Sequence, residues 1–389
     1  MATGSLGALR AANKAAVIEV LGAGPVAQAE IVRRTGLSPA TVTGLVRELL
    51  ADGAVTTAPG VWSGRRATIV TLASAPARPL AAVSLTRAGI DRAVWDAAGP
   101  VFASVGWDEA PELREDPAQL ADRLRALAED SGAAAMVVCV PGWIAMRDSV
   151  TVPPAFARTH PLAGWMAGGA RLAAMREDLG IPVEIRNDAD MAALAELRGG
   201  AARGVRNALY LEASEGVGGA FVFGGELFTG DAGLAGEIGH VPGAEHGPRC
   251  WCGNRGCLEQ LIGAEALLSS LPPLAGEPGR VTLGDLVAAA NGGVELAIRT
   301  VADAGRDAGF ALAPMLQALN VGTVVVGGVL SAAAAFVSAV EASVTQFAPL
   351  LGARVRVRPA VHGARGIVLG GLFDAARLAG LSLEYELNT

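Results

Sequence analysis

From about residue 80 onward the chain alternates short apolar runs with amphipathic segments, and that alternation restricts its fold more than any other feature. The runs Ala81-Ala82-Val83-Ser84-Leu85, Ala135-Met136-Val137-Val138-Cys139-Val140, Val183-Glu184-Ile185, Ala208-Leu209-Tyr210-Leu211, Gly219-Ala220-Phe221-Val222-Phe223 and Thr323-Val324-Val325-Val326 read as strands. Arg92 to Asp96 and Pro100 to Ala103 complete a meander with the first of them, and a helix covers roughly 117–130. Strands interleaved with helices predict packed α/β layers. At 389 residues the chain is too long for one average domain, and 51% hydrophobic residues supply a large core. Only 4% are aromatic, so that core is mainly aliphatic, and Cys139 reads as one of its small buried residues.

Before about residue 73 the pattern is different. Residues 9–21 carry apolar positions suited to a first helix, and a second runs from about Gln28 to Thr35. Gly36-Leu37-Ser38-Pro39 then combines a turn-permitting glycine, an N-capping serine and a proline suited to the first helical position. In the third helix Val42, Leu45, Val46 and Leu49 follow the spacing of a buried face. Its N-terminal end and outer face present Ser38, Pro39, Ala40, Thr41, Thr43, Gly44 and Arg47, side chains that let a helix sit close to base edges. Two strands, 54–57 and 67–72, follow, and the connection between them holds Gly60, Trp62, Ser63, Gly64, Arg65 and Arg66. Arginines at such a tip can reach phosphates or a narrow minor groove. The predicted architecture is a winged helix-turn-helix over 1–73, a linker over 74–79 within the Ala/Pro stretch, and a body over 80–389. A three-helix protein-interaction module with a solvated wing tip is the alternative for the head.

Charge follows the same division. The head carries seven basic against four acidic residues, a net +3, and leaves −10 of the total −7 on the body. A basic module on an acidic body fits an operator-DNA partner for the head alone. No apolar run approaches the roughly 18 residues of a spanning helix, and no secretory leader pattern opens the sequence, so a cytoplasmic location without membrane association is expected.

Three of the four cysteines, Cys250, Cys252 and Cys257, fall within eight residues, ten positions after His240. Three thiolates and an imidazole make a closed tetrahedral set for structural Zn2+. His246 is a second imidazole within reach, and a reduced cysteine cluster beside an unrelated histidine is the bland reading. Further up the chain, Asn187-Asp188-Ala189-Asp190 stands between a strand and a helix. The pair Asn187-Asp188 is either a helix cap or part of a polyol site, since carboxylates accept from vicinal hydroxyls.

These residues carry a resemblance. Glu237-x-Gly239-His240 with Cys250-x-Cys252-Gly253-x-x-Gly256-Cys257-Leu258-Glu259 resembles the signature of the ROK family (repressors, open reading frames and kinases). The head, with Gly36-Leu37-Ser38 and Ser63-Gly64-Arg65-Arg66-Ala67-Thr68, is similar to that of ROK repressors acting in xylose and N-acetylglucosamine metabolism. The resemblance implies an α/β, two-lobed, actin-like (ribonuclease-H-like) sugar-kinase fold, its C-terminal helix returning to the first lobe. It implies zinc on His240, Cys250, Cys252 and Cys257, and a sugar held by Asn187, Asp188, Glu237, His240 and Glu259. It also implies a homodimer or homotetramer reading a pseudo-palindromic operator.

The nucleotide side departs from that family. Where ROK kinases have Asp-x-Gly-Gly-Thr, this chain reads Ser84-Leu85-Thr86-Arg87-Ala88. Where they have Gly-Thr-Gly-x-Gly, it reads Ser214-Glu215-Gly216-Val217-Gly218. A carboxylate facing a polyphosphate is electrostatically hostile, so the expectation is a regulator with a sugar effector and no catalysis. Gly327-Gly328-Val329-Leu330-Ser331 keeps the glycines of the adenosine loop, while Val152-Pro153-Pro154-Ala155-Phe156 lacks the family's sugar-contacting asparagine. An active sugar kinase and a regulator answering to a protein partner are the competing readings.

Overall fold

A computed structural model describes residues 10, 13–14, 16–18, 20–21, 24–51, 55–72, 78–86, 88–106, 108–110, 116–142, 144–145, 149–150, 177–271, 281–351 and 355–381. Most of the Ala/Pro linker and the Val152–Phe156 stretch lie outside the described residues.

Every described residue between 10 and 21 is helical. There follow β1 (Val26–Ala27), α1 (Gln28–Thr35), α2 (Pro39–Ala51), β2 (Val55–Trp62) and β3 (Arg65–Leu72). Helix α1 stops at Gly36, which takes the left-handed conformation (φ 69°) and returns its N–H to the Val32 carbonyl. Ser38 Oγ accepts the Thr41 N–H at 3.1 Å, capping α2. Ile31, Val42, Leu45, Val46, Leu49, Val55 and Val70 form the core between helices and sheet.

The wing is longer than the sequence reading expected. β2 runs unbroken to Trp62 and β3 begins at Arg65, so only Ser63 and Gly64 turn the chain. Both have positive φ (50° and 78°), a pairing whose twist matches the flanking strands. The strand accommodates Pro59 because the sheet order β1-β3-β2 leaves β2 at an edge, where a missing N–H is tolerated. Arg65 and Arg66 are therefore the exposed first residues of a strand rather than part of a loop.

The body contains two five-stranded sheets of one topology. The first comprises β4 (Leu80–Leu85), β5 (Gly89–Asp96), β6 (Gly99–Gly106), β7 (Met136–Val140) and β10 (Val183–Asn187), in the order β10-β7-β4-β5-β6. α3 (Pro117–Ser131) precedes β7, and β8 (Ile144–Ala145) and β9 (Ser149–Val150) make a small separate pair. The second comprises β11 (Ala208–Ala213), β12 (Val217–Phe223), β13 (Glu226–Phe228), β14 (Thr323–Gly327) and β15 (Arg356–Pro359), in the order β13-β12-β11-β14-β15. Each is a three-stranded antiparallel meander extended by two parallel strands.

The remaining helices are α4 (Asp188–Gly199), α5 (Glu259–Ile262), α6 (Ala264–Ser270), α7 (Leu283–Asn291), α8 (Glu295–Leu319), α9 (Ala334–Phe347) and α10 (Gly366–Leu378). α10 lies against α4 and the first sheet. It comes close because a side chain at Gly370 would strike the Met191 carbonyl, and one at Gly371 would stand 3.0 Å from the buried Cys139 thiol. Buried Val17 and Leu21 of the head share one apolar cluster with Leu80, Trp95, Leu372 and Leu381 of the body.

Candidate functional site

His240, at the end of a short 3-10 turn (Ile238–His240), meets the loop that follows it. One donor atom from each of His240, Cys250, Cys252 and Cys257 falls within 4.8 Å of the others. His240 Nδ1 is 3.5 Å from Cys250 Sγ, and Cys252 Sγ is 3.6 Å from Cys257 Sγ. A tetrahedral ion with sulfur at about 2.3 Å separates two sulfurs by about 3.8 Å, so the spacing fits zinc without rearrangement. Burial, reinforced by neighbouring thiols, holds the Cys257 thiol far above its ordinary range, and burial also raises Cys250. These two thiols are therefore protonated until a cation binds. Burial lowers the His240 pKa, keeping the imidazole neutral as a ligand must be. His246 is exposed and is not among these four donors.

With Nδ1 turned to the thiols, His240 Nε2 faces Glu237 Oε2 at 3.9 Å. The ring also meets Trp251 edge to face, centroids 4.5 Å apart. Trp251 donates its indole N–H to Glu259 Oε1 at 2.8 Å, and Glu259 Oε2 accepts the Val217 N–H at 3.3 Å. Thus Glu237, His240 and Glu259 are aimed by one small loop and the start of α5.

Asp188 opens α4 from the carboxyl end of β10, where ligand sites form in open α/β sheets. Its carboxyl is pushed up to about 7, first by burial and then by the nearby Glu212 and Glu237 carboxylates. Asn187 caps α4, its Oδ1 accepting the Asp190 N–H at 3.0 Å and its Nδ2 donating to the Gly142 carbonyl at 3.0 Å. Its amide therefore has a structural use, whatever else it does. Asp190 turns away from this group toward Arg186 and Asp374 along a cavity of about 1120 Å³, and burial lifts it to about 7 as well.

Glu212 and Trp251 were missed by the sequence reading. Glu212 accepts from Tyr210 Oη at 2.7 Å and from Ser214 Oγ at 2.8 Å, and Ser214 Oγ in turn accepts the Val329 N–H at 3.0 Å. The one available signal was a carboxylate inside the apolar run Leu209-Tyr210-Leu211-Glu212-Ala213. Across the cleft, the β4–β5 turn closes on itself: Thr86 Oγ1 accepts from the Ala88 and Gly89 N–H groups at 3.2 and 3.0 Å. Ser84 is buried just before it.

On the head, Ser38, Pro39, Ala40 and Arg47 are exposed along α2, and Arg65 and Arg66 are exposed on β3. Thr41 is half-buried and bonded to Ser38 at 2.8 Å. The Thr43 hydroxyl is engaged within the head, donating to the Pro39 carbonyl and accepting from Gln28 Nε2, each at 2.8 Å.

A ROK family model matches residues 108–376, more than half of the chain. The chain belongs to the ROK family. A MarR family model matches residues 11–65 of the same protein. This ROK protein is 35% identical to the glucokinase of Halalkalibacterium halodurans over 172 residues, 41% of its own length and 52% of the glucokinase. It is 27% identical to the xylose repressor of Bacillus subtilis (strain 168) over 262 residues, 65% of this chain and 66% of that one. The chain thus spans between half and two-thirds of these relatives. With the DNA-binding transcriptional repressor Mlc of Escherichia coli (strain K12) it shares 26% identity over 356 residues, 85% of this chain and 84% of Mlc.

Among solved structures, a ROK family transcriptional regulator described as a homolog of Escherichia coli MLC superposes with a TM-score of 0.76. It is 20% identical and covers 96% of this chain and 97% of its own. The ROK glucokinase from Streptomyces griseus gives 0.64 at 21% identity, covering 77% of this chain and 99% of that one. At these identities the likeness is one of fold: a winged helix-turn-helix head on a two-lobed, actin-like body.

Proposed function

We propose that this ROK protein is a sugar-responsive, DNA-binding transcription regulator, a repressor of carbohydrate genes, whose body keeps a kinase cleft for recognition alone. The observation that carries the reading is the joining, in one chain, of a helix-turn-helix head to a ROK body, a pairing shared with Mlc over 85% of this chain. In this reading residues 1–73 bind DNA, 74–79 link, and 80–389 sense the effector. Asn187, Asp188, Glu237, His240 and Glu259 take the sugar, and Asn187 also caps α4 through the Asp190 N–H. His240, Cys250, Cys252 and Cys257 hold zinc, whose four protein ligands give a closed structural site and fix the Nε2 face of His240. On the head, Ser38, Pro39, Ala40, Thr41, the Thr43 methyl and Arg47 meet the major groove, and Arg65 and Arg66 reach the adjoining backbone or minor groove.

The same geometry supports the absence of catalysis. A phosphate cradle needs free backbone N–H groups. Here the N–H groups of Ala88 and Gly89 are taken by Thr86, and that of Val329 by Ser214. Glu215 adds a carboxylate within the segment that aligns with the kinases' second phosphate motif, and Glu212 adds another bonded to the adjacent Ser214. With no cradle to present a phosphoryl group, Asp188 in this reading serves as a hydrogen-bond partner for a sugar hydroxyl rather than as a base.

Sugar binding acts by population shift, favouring one lobe arrangement and moving paired heads into or out of register. Half-sites one helical turn apart, about 34–36 Å, require a dimer or tetramer. No described helix is long and apolar enough to cross a membrane, and the reading places the protein in the cytoplasm. The test is retention of duplexes from a random-sequence pool by the full chain, with and without a panel of pentoses, hexoses and amino sugars. Failure to retain any duplex overturns the reading. The 35% identity to a glucokinase favours a second reading, catalysis; ADP release with that panel at about 1–100 per second would establish it.

A further inference from the structure

Gly44 lies in the interior of α2 with an ordinary right-handed backbone. Glycine there sacrifices chain entropy and helix propensity, so a folded protein that keeps one has a use for the missing side chain. In the long helix α8 the use of glycine is internal. A side chain at Gly305 would come within 2.5 Å of the Phe336 carbonyl on α9, and one at Gly309 within 2.7 Å of the Val340 carbonyl. At Gly44 a side chain would meet nothing within 4 Å among the described residues. The fold therefore has no use for this glycine.

The position points outward. Gly44 follows Ala40 by four residues and precedes Arg47 by three, which places all three on one face. Ala40 and Arg47 are exposed, while Val42, Leu45, Val46 and Leu49 are buried against the head's core. The neighbouring hydroxyls of Thr41 and Thr43 are held by Ser38, Pro39 and Gln28. What α2 offers a partner at its middle is bare helix backbone, followed one turn later by a guanidinium.

Resting on the DNA reading above, we propose that Gly44 is a specificity-determining residue: base edges on the floor of the major groove pack against the helix backbone at Gly44. A helix backbone has a radius of about 2.3 Å, whereas side chains widen the cylinder to about 10–12 Å across. Removing one side chain from the facing surface lets α2 settle deeper and sets the depth from which Arg47 reaches its base.

The test uses the full chain. Duplexes are enriched from a random-sequence pool with the wild-type protein, then measured against wild type, Gly44→Ala and Gly44→Val, alongside an unenriched duplex and thermal unfolding. Gly44→Ala is expected to unfold at or above the wild-type temperature, because alanine is the better helix former and the space is open. Its affinity for the enriched duplex is expected to fall about tenfold, and that of Gly44→Val further. Binding to the unenriched duplex, governed by phosphate contacts, should change by less than about twofold. Gly44→Ala with wild-type affinity and unchanged base preference overturns the proposal, as does an equal loss on both duplexes or a lowered unfolding temperature. A wild type that enriches no sequence overturns the DNA reading itself, an outcome distinct from a selective wild type indifferent to Gly44.

Discussion

The indole N–H of Trp251 donates to Glu259 at 2.8 Å while the edge-to-face contact of the same ring holds His240. One side chain inside the cysteine loop thus connects the candidate metal centre to the first residue of α5. Trp251→Phe keeps an aromatic ring beside His240 and deletes only the donor. Metal content should be unchanged, while calorimetric affinity for the effector drops about tenfold, the scale of one lost hydrogen bond to a charged group. Wild-type affinity in the variant would show that Glu259 does not depend on Trp251.

The four-donor cluster should carry about one zinc per chain by metal analysis. Cys252→Ser, or chelation of the wild type, is expected to release it, lower the unfolding temperature and weaken effector binding through His240. A metal-free protein with full effector affinity would restrict the ion to loop stability.

Asp188 implies a definite pH dependence. Its folded-state pKa of about 7 lies above the ordinary 3.8, so between these values the folded chain binds more protons than the unfolded one. Stability from the neutral carboxyl is complete below about pH 4 and is lost as pH rises through 7. Asp190, also raised to about 7, acts in the same direction. Unfolding temperatures measured from pH 4 to 8 should decline more steeply for wild type than for Asp188→Asn, and parallel profiles would exclude the burial argument.

Glu196 is buried, yet it accepts three backbone N–H groups: Ala201 at 2.7 Å, and Val361 and His362 at 2.9 Å each. It fastens the end of α4 to the segment leading into α10. In Glu196→Gln an NH2 replaces one acceptor and confronts a donor, which should destabilise by about 1.5–3 kcal/mol. Denaturant unfolding reads this as a lowered midpoint at constant slope, and an unmoved midpoint would deny the clamp any energetic role.

Much of the fold was legible because apolar periodicity is a local property. The strands at β4, β7, β10 and β14 were placed within a residue or two, and α1 at its observed bounds. The cysteines and His240 were legible for a similar reason: few residue types bind soft metals, and their spacing is written along one short segment. The wing was read with too long a connection, since only the pairing of β2 with β3 reveals that both strands continue to the Ser63-Gly64 turn.

The sequence by itself determined the two-part organisation, the α/β layering and the four-residue donor set that could hold a metal. The tertiary structure alone decided which groups meet. Glu212 lies 24 residues from Asp188, and Trp251 became a positioning residue only when its loop folded back on α5. That Thr86 accepts the Ala88 and Gly89 N–H groups, and Ser214 that of Val329, is likewise a fact of three dimensions. The physical reason is that periodicity and ligand chemistry are carried by single residues and their near neighbours. Burial, carboxylate proximity and hydrogen-bond satisfaction belong to pairs, and only chain closure brings those pairs together.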